Sequence, residues 1–168
     1  MSAHDDLWDV LVVGAGHAGC EAALAAARLG ARVLLLTLDA QAVGRMSCNP
    51  AIGGLAKGHL VREIDSLGGR MGLLADRVGI QYRRLNTRKG PAVRATRSQS
   101  DRERYSVVMA DELRAQPGLT LAEAEVTAVE VRRDTEPPRV CAVRDARGER
   151  YPAHAVIITA GTFLRGLL

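Results

Sequence analysis

The chain turns abruptly apolar at Asp9-Val10-Leu11-Val12-Val13, a run without alternation that suits a strand covered on both faces, as in a parallel sheet. Glycines follow at once in Gly14-Ala15-Gly16-His17-Ala18-Gly19. From His17 to Leu29 the spacing becomes helical, with Ala22, Ala26 and Leu29 on one stripe and Gly30 as the stop. Arg32 to Leu38 predicts a second strand. Residues 44–58 break regular structure with Gly44, Pro50, Gly53, Gly54 and Gly58, and helical spacing resumes from His59 to Leu67 until Gly68-Gly69. Ser100, Asp101 and Glu103 open a further helix that runs towards Pro117-Gly118. Beyond it the period falls to two. Leu119 to Val131, Arg139 to Arg144 and Arg150 to Tyr151 predict antiparallel strands, turned at Pro137-Pro138 and Ala146-Arg147-Gly148. A last apolar strand, Ala155 to Thr159, runs into Ala160-Gly161. The expected fold class is α/β: a Rossmann-like domain with a parallel sheet and an inserted antiparallel β-meander. One domain, 1–168, is expected to hold a βαβ unit with its Gly-rich loop (1–70), a basic segment (79–105), and the meander with its returning strand (119–168).

Composition supports a packed core. The 168 residues are 47% hydrophobic and 25% charged, the size of one domain. One Trp, one Phe and three Tyr leave little for aromatic stacking on bare nucleic acid. The apolar runs are too short for a membrane span, and residues 1–9 carry three Asp where a signal peptide carries cations, so a cytoplasmic protein without membrane contact is expected. Charge is concentrated. Residues 83–104 hold eight Lys or Arg and two Asp or Glu, a local +6 within a chain of net +4. Arg88, Lys89, Arg94 and Arg97, interleaved with hydroxyls and a turn, suit an extended polyanion; the bland alternative is a solvated loop.

The chemistry-bearing motif is Gly14-x-Gly16-x-x-Gly19 between a strand and a helix. The first glycine permits the turn, the second lets a pyrophosphate approach, and the third lets the helix lie on the sheet. An acidic residue that would hold a ribose is expected at the end of the second strand, where Thr37 and Asp39 are imperfect candidates. No GxxxxGK[ST] spacing is present and no His lies within ligand spacing of a Cys, so neither a P-loop nor a metal site is expected. Of the cysteines, Cys20 and Cys141 fall on a helix and a strand as small apolar residues. Cys48 differs. It lies in a Gly- and Pro-punctuated loop with Arg45, Lys57 and His59 nearby, a setting that favours a thiolate, and its reactive and structural readings stand side by side.

The blocks MSCNPAIGGLAKGHLVREIDSLGG (46–69) and GIQYRRLNTRKGPAVRATRSQSDRERY (79–105), with GAGHAGCEAALAAARLGARVLLLT before them and AVIITAGTFLRG after, resemble the MnmG (GidA) family of flavoproteins that modify the tRNA wobble uridine. The resemblance implies an FAD-binding fold and addition of an aminomethyl or carboxymethylaminomethyl group at C5 of that uridine. It further implies NADH as reductant, methylene-tetrahydrofolate as one-carbon donor, an MnmE-type GTPase partner in a heterotetramer, and a homodimer. Residue by residue, Gly14, Ala15, Gly16, His17, Ala18 and Gly19 would bind the FAD pyrophosphate, Val126 the adenine end, and Thr159 with Gly161 a second flavin-binding turn. Cys48 matches the family's catalytic cysteine, as a nucleophile towards C6 or in methylene transfer. Family members are much longer, so a truncated, N-terminal portion is expected. A non-catalytic FAD- and tRNA-binding fragment and a generic flavin oxidoreductase are the alternative readings.

Overall fold

The computed structural model describes residues 7–47 and 49–161. The chain divides into two compact units, Met1–Val43 with Glu112–Leu168, and Gly44–Asp111.

The first unit is built on a six-stranded sheet. Strands β1 (Trp8–Val13) and β2 (Val33–Thr37) pair in parallel, joined by helix α1 (His17–Arg28). Leu11 and Val13 point to one face with Leu34 and Leu36, while Val12 takes the other with Val33 and Leu35, and all seven are buried. Helix α1 packs on β1 and β2 through buried Cys20, Ala23, Leu24 and Ala27. Alanines rather than leucines at most of these positions let the helix axis approach closely. Cys20 is fully buried and its thiol donates to Ala15 O at 3.3 Å, and Cys141 is half-buried in a strand, both as small apolar residues.

Towards the chain's end three strands follow one another: β7 (Val126–Arg132), β8 (Arg139–Asp145) and β9 (Arg150–Ile158), antiparallel as the alternation predicted. Val143, Tyr151 and Ala153 join Trp8, Leu11, Val13, Leu34 and Leu36 in one buried cluster. Two predicted boundaries are revised. Leu119 to Glu123 is a separate strand, β6, parallel to β2 rather than part of the meander. The break falls at Ala124, whose N–H donates to Thr37 O at 2.9 Å. The predicted strands at 150–151 and 155–159 are one continuous strand, which pairs with β8 near its start and with β1 in parallel from Ala153 onward. The sheet order is therefore β6-β2-β1-β9-β8-β7.

The second unit holds a three-stranded antiparallel sheet, β3 (Ala51–Gly53), β5 (Ala95–Ser100) and β4 (Gly79–Leu85), in that order. Helices α2 (Gly58–Ser66) and α3 (Met71–Val78) pack against each other and on this sheet. Helix α3 and strands β3, β4 and β5 lie in stretches the sequence presents as loop. Leu74, Ala75 and Val78 of α3 are buried, as are Ser98 and Ser100 of β5. Helix α4 (Arg102–Ala115) begins where expected, but its cap is Asp101 rather than Ser100: the Asp101 carboxylate accepts from Glu103 and Arg104 N–H at 3.1 and 3.0 Å.

Candidate functional site

Strands β1, β2, β6 and β9 run parallel, so their last residues, Val13, Thr37, Glu123 and Ile158, share one edge of the sheet. Ligands of open α/β sheets bind outside that edge. The glycine turn lies there, and three of the predicted residues lock it together. Gly14, at φ +99°, faces Thr159 so closely that a Cβ would stand 2.8 Å from Thr159 O. A Cβ on Gly19 would stand 1.8 Å from Gly14 O. The Thr159 hydroxyl lies 2.9 Å from Val13 O and 2.8 Å from Gly14 O, donating to that pair of carbonyls. Gly16 is the contrast: it is exposed, and a Cβ there would have nothing within 4 Å.

That open position is the N-cap of α1. The helix has no side-chain cap and no acidic residue in its first turn. Its free N–H groups and the positive end of its dipole therefore face the space beside Gly16, the donor set that a pyrophosphate requires. Ala15 is buried, Ala18 is exposed, and His17 is half-buried at the first helical position. Burial lowers the His17 pKa, against a smaller opposite pull from the Glu21 carboxylate, which keeps a neutral ring beside the turn.

Val126 opens β7, half-buried against the core cluster, and Gly161, at φ +61°, follows Thr159 by two residues on the exposed side. Where a ribose carboxylate was expected, Asp39 is engaged locally, accepting from Gln41 N–H at 2.8 Å, and the Thr37 hydroxyl donates to Asp39 O at 3.3 Å. Glu123, at the end of the neighbouring strand, accepts from Ala40 N–H at 2.8 Å and puts a second carboxylate beside the β2 end. Its signal was hidden in the sequence because β6 reads there as part of the meander.

The basic residues fall in the second unit. Arg88 and Lys89 are exposed on the turn between β4 and β5, and Arg94 is exposed at its close. The turn is held internally: Asn86 Nδ2 donates to Val93 O at 3.1 Å, Lys89 N–H to Asn86 O at 2.9 Å, and Arg94 Nε to Lys89 O at 3.1 Å. Arg97 is half-buried in β5, its guanidinium donating to Asn49 Oδ1 at 2.8 Å. Register places Arg83 directly across from Arg97, a cation that charge counting alone did not single out. Two like charges side by side repel unless an anion sits between them. Cys48 lies outside the described residues.

The family model for Glucose inhibited division protein A matches residues 9–168. The chain belongs to that family. It is 56% identical over 165 residues to the tRNA uridine 5-carboxymethylaminomethyl modification enzyme MnmG of Geobacter metallireducens, a match covering 98% of this chain and 26% of that protein. The crystal structure of Aquifex aeolicus GidA, form II, superposes with a TM-score of 0.89 at 48% identity, over 97% of this chain and 26% of that one. A more distant likeness, 22% identical with a TM-score of 0.66, is to the FAD-dependent halogenase CndH, and it shows the fold. This GidA-family chain thus spans about a quarter of the length of the curated relatives it matches.

Proposed function

We propose that this chain is the flavin-binding, RNA-contacting portion of an enzyme that modifies C5 of the wobble uridine in tRNA. The observation that carries the reading is the glycine turn: closed by Gly14, Gly19 and Thr159, open at Gly16, at the carboxyl edge of a parallel sheet. A cradle that two Cβ atoms would fill, above an uncapped helix start, fits the pyrophosphate of FAD. Gly14 to Gly19 would hold that group, Val126 the adenine end through its backbone, and Thr159 with Gly161 the second turn. When bound, FAD supplies two-electron redox chemistry, with NADH as its reductant in this reading.

The name of the G. metallireducens relative supports tRNA as the substrate. The wobble base sits in a single-stranded loop, where unstacking costs little, and Arg88, Lys89, Arg94 and Arg97 would hold backbone phosphates. C5 of uracil is a weak nucleophile until a group adds at C6. A Cys48 thiolate can make that addition; its other role is in handling the methylene carbon drawn from methylene-tetrahydrofolate. An MnmE-type GTPase and a second copy of the full-length protein are the proposed partners, in the cytoplasm.

Titration of the purified chain with FAD, followed by quenching of flavin fluorescence, tests the cofactor assignment. Saturable binding by the wild type that is lost in Gly16→Ala is the expected outcome. No binding by the wild type would show that the isolated portion does not hold the cofactor.

A further inference from the structure

In the second unit a cavity of about 450 Å³ opens between the start of α2 and residues 91–96, within the ~300–1,000 Å³ range of small-ligand pockets. Its existence follows from two glycines. A Cβ on Gly53 would lie 2.4 Å from Thr96 O, and one on Gly58 3.1 Å from the Ala95 Cβ, so only glycine lets the helix start lie this close to β5. His59 spans the walls, its Nε2 3.2 Å from Ala92 O; a carbonyl only accepts, so Nε2 carries the proton.

The walls are apolar at Val61, Pro91, Ala92 and Ala95, and charged at Arg62, Glu63 and Arg94. Neither arginine forms an ion pair among the described residues. Arg94 spends only Nε on Lys89 O, which leaves its terminal nitrogens for a ligand. Helix α2 has no side-chain cap and no acidic residue in its first turn, so the backbone adds to the positive field. The ligand this combination fits has a flat, largely apolar body, an edge with N–H donors for Glu63, and an anionic group for the two guanidinium forks.

We propose that this cavity takes one unstacked nucleotide of a single-stranded RNA loop, its base between Val61 and the Pro91-Ala92 wall and its phosphate on Arg62 and Arg94. The proposal rests on the reading of tRNA as substrate and adds to it. The turn at 88–89 and the pair Arg83 and Arg97 contact backbone without distinguishing single from double strands, whereas the cavity admits only a base that has left its stack. This makes the second unit a reader of loop conformation, not merely a cationic surface.

The test uses the purified chain and two probes of equal charge: a labelled uridine-containing single-stranded heptaribonucleotide and a short blunt RNA duplex. Ala92→Phe fills the cavity without changing charge. It is expected to raise the single-strand Kd about tenfold, the order of one stacked base, and to leave duplex binding within about twofold. Arg62→Gln is expected to weaken single-strand binding by about fivefold, the worth of one charge-assisted hydrogen bond. Wild-type single-strand affinity in folded Ala92→Phe, judged by circular dichroism, would overturn the cavity assignment while leaving the tRNA reading intact. If Ala92→Phe does not fold, Arg62→Gln decides, and wild-type affinity in that variant overturns the assignment. No RNA binding by the wild type would overturn both.

Discussion

A methyl group added at Gly16 would meet nothing within 4 Å, whereas one at Gly19 would press on the Gly14 carbonyl, so the same substitution has opposite consequences three residues apart. Gly19→Ala is expected to cost about 3 kcal/mol or more, the upper range for overpacking, read as a fall in denaturant midpoint. Gly16→Ala is expected to leave that midpoint almost unchanged and to reduce FAD affinity at least tenfold, because the methyl stands where the phosphate would approach. His17 adds a pH dependence at the same turn. Burial disfavours its charged form, so its pKa in the folded chain lies below the ordinary 6.5 and the unfolded chain takes up the proton first as pH falls. Stability contributed by the neutral ring is complete above about pH 6.5 and declines below it. Urea titrations at pH 7 and pH 5 should show a smaller difference in His17→Gln than in the wild type.

At the scale of elements, the β8–β9 hairpin turns on one carboxylate. Asp145 is buried and accepts from Arg147 N–H at 2.9 Å and Glu149 N–H at 2.8 Å, with Arg147 Nε and Tyr151 Oη at 3.3 Å. Burial raises its pKa, but the Glu149 N–H, the Arg147 guanidinium and the other donors together outweigh it and hold the group below 3.8. The charged form is thus favoured by folding: its contribution is present above about pH 3.8 and is lost as pH falls below that value. Asp145→Asn should lower Tm at pH 7 and flatten the loss of Tm between pH 5 and pH 3. The β4–β5 hairpin carries the other prediction. Neutralising Arg88, Lys89 and Arg94 to Gln should weaken tRNA binding and reduce the slope of log Kd against log salt by up to about three, roughly one for each phosphate no longer neutralised. An unchanged slope would mean that these side chains touch no phosphate. The sequence conceals these strands because their outward faces are charged or polar: Gln81, Tyr82, Arg83 and Arg84 are all exposed, so no apolar alternation marks them. Helix α3 is concealed for a different reason, since its eight residues give barely two turns of pattern.

At the scale of the whole molecule, the chain is about a quarter of the length of its relatives and contains two compact units whose chemistries differ. The first is organised around a dinucleotide turn, the second around a cationic hairpin and its cavity. The α/β class, the glycine turn, the first helix and the meander were legible in the sequence because each is local: an apolar run, a change of period or a glycine spacing declares itself within a dozen residues. Pairing is not local. That β6 joins β2 in parallel, that one strand serves both the sheet and the meander, that Thr159 closes a turn 145 residues away, and that Arg83 stands beside Arg97 all depend on long-range register. The sequence by itself determined which residue types were available to hold a pyrophosphate and a polyanion. Only the tertiary structure decided which of them meet, because hydrogen bonds between strands and close approach at glycine set those distances, and neither is written in the spacing along the chain.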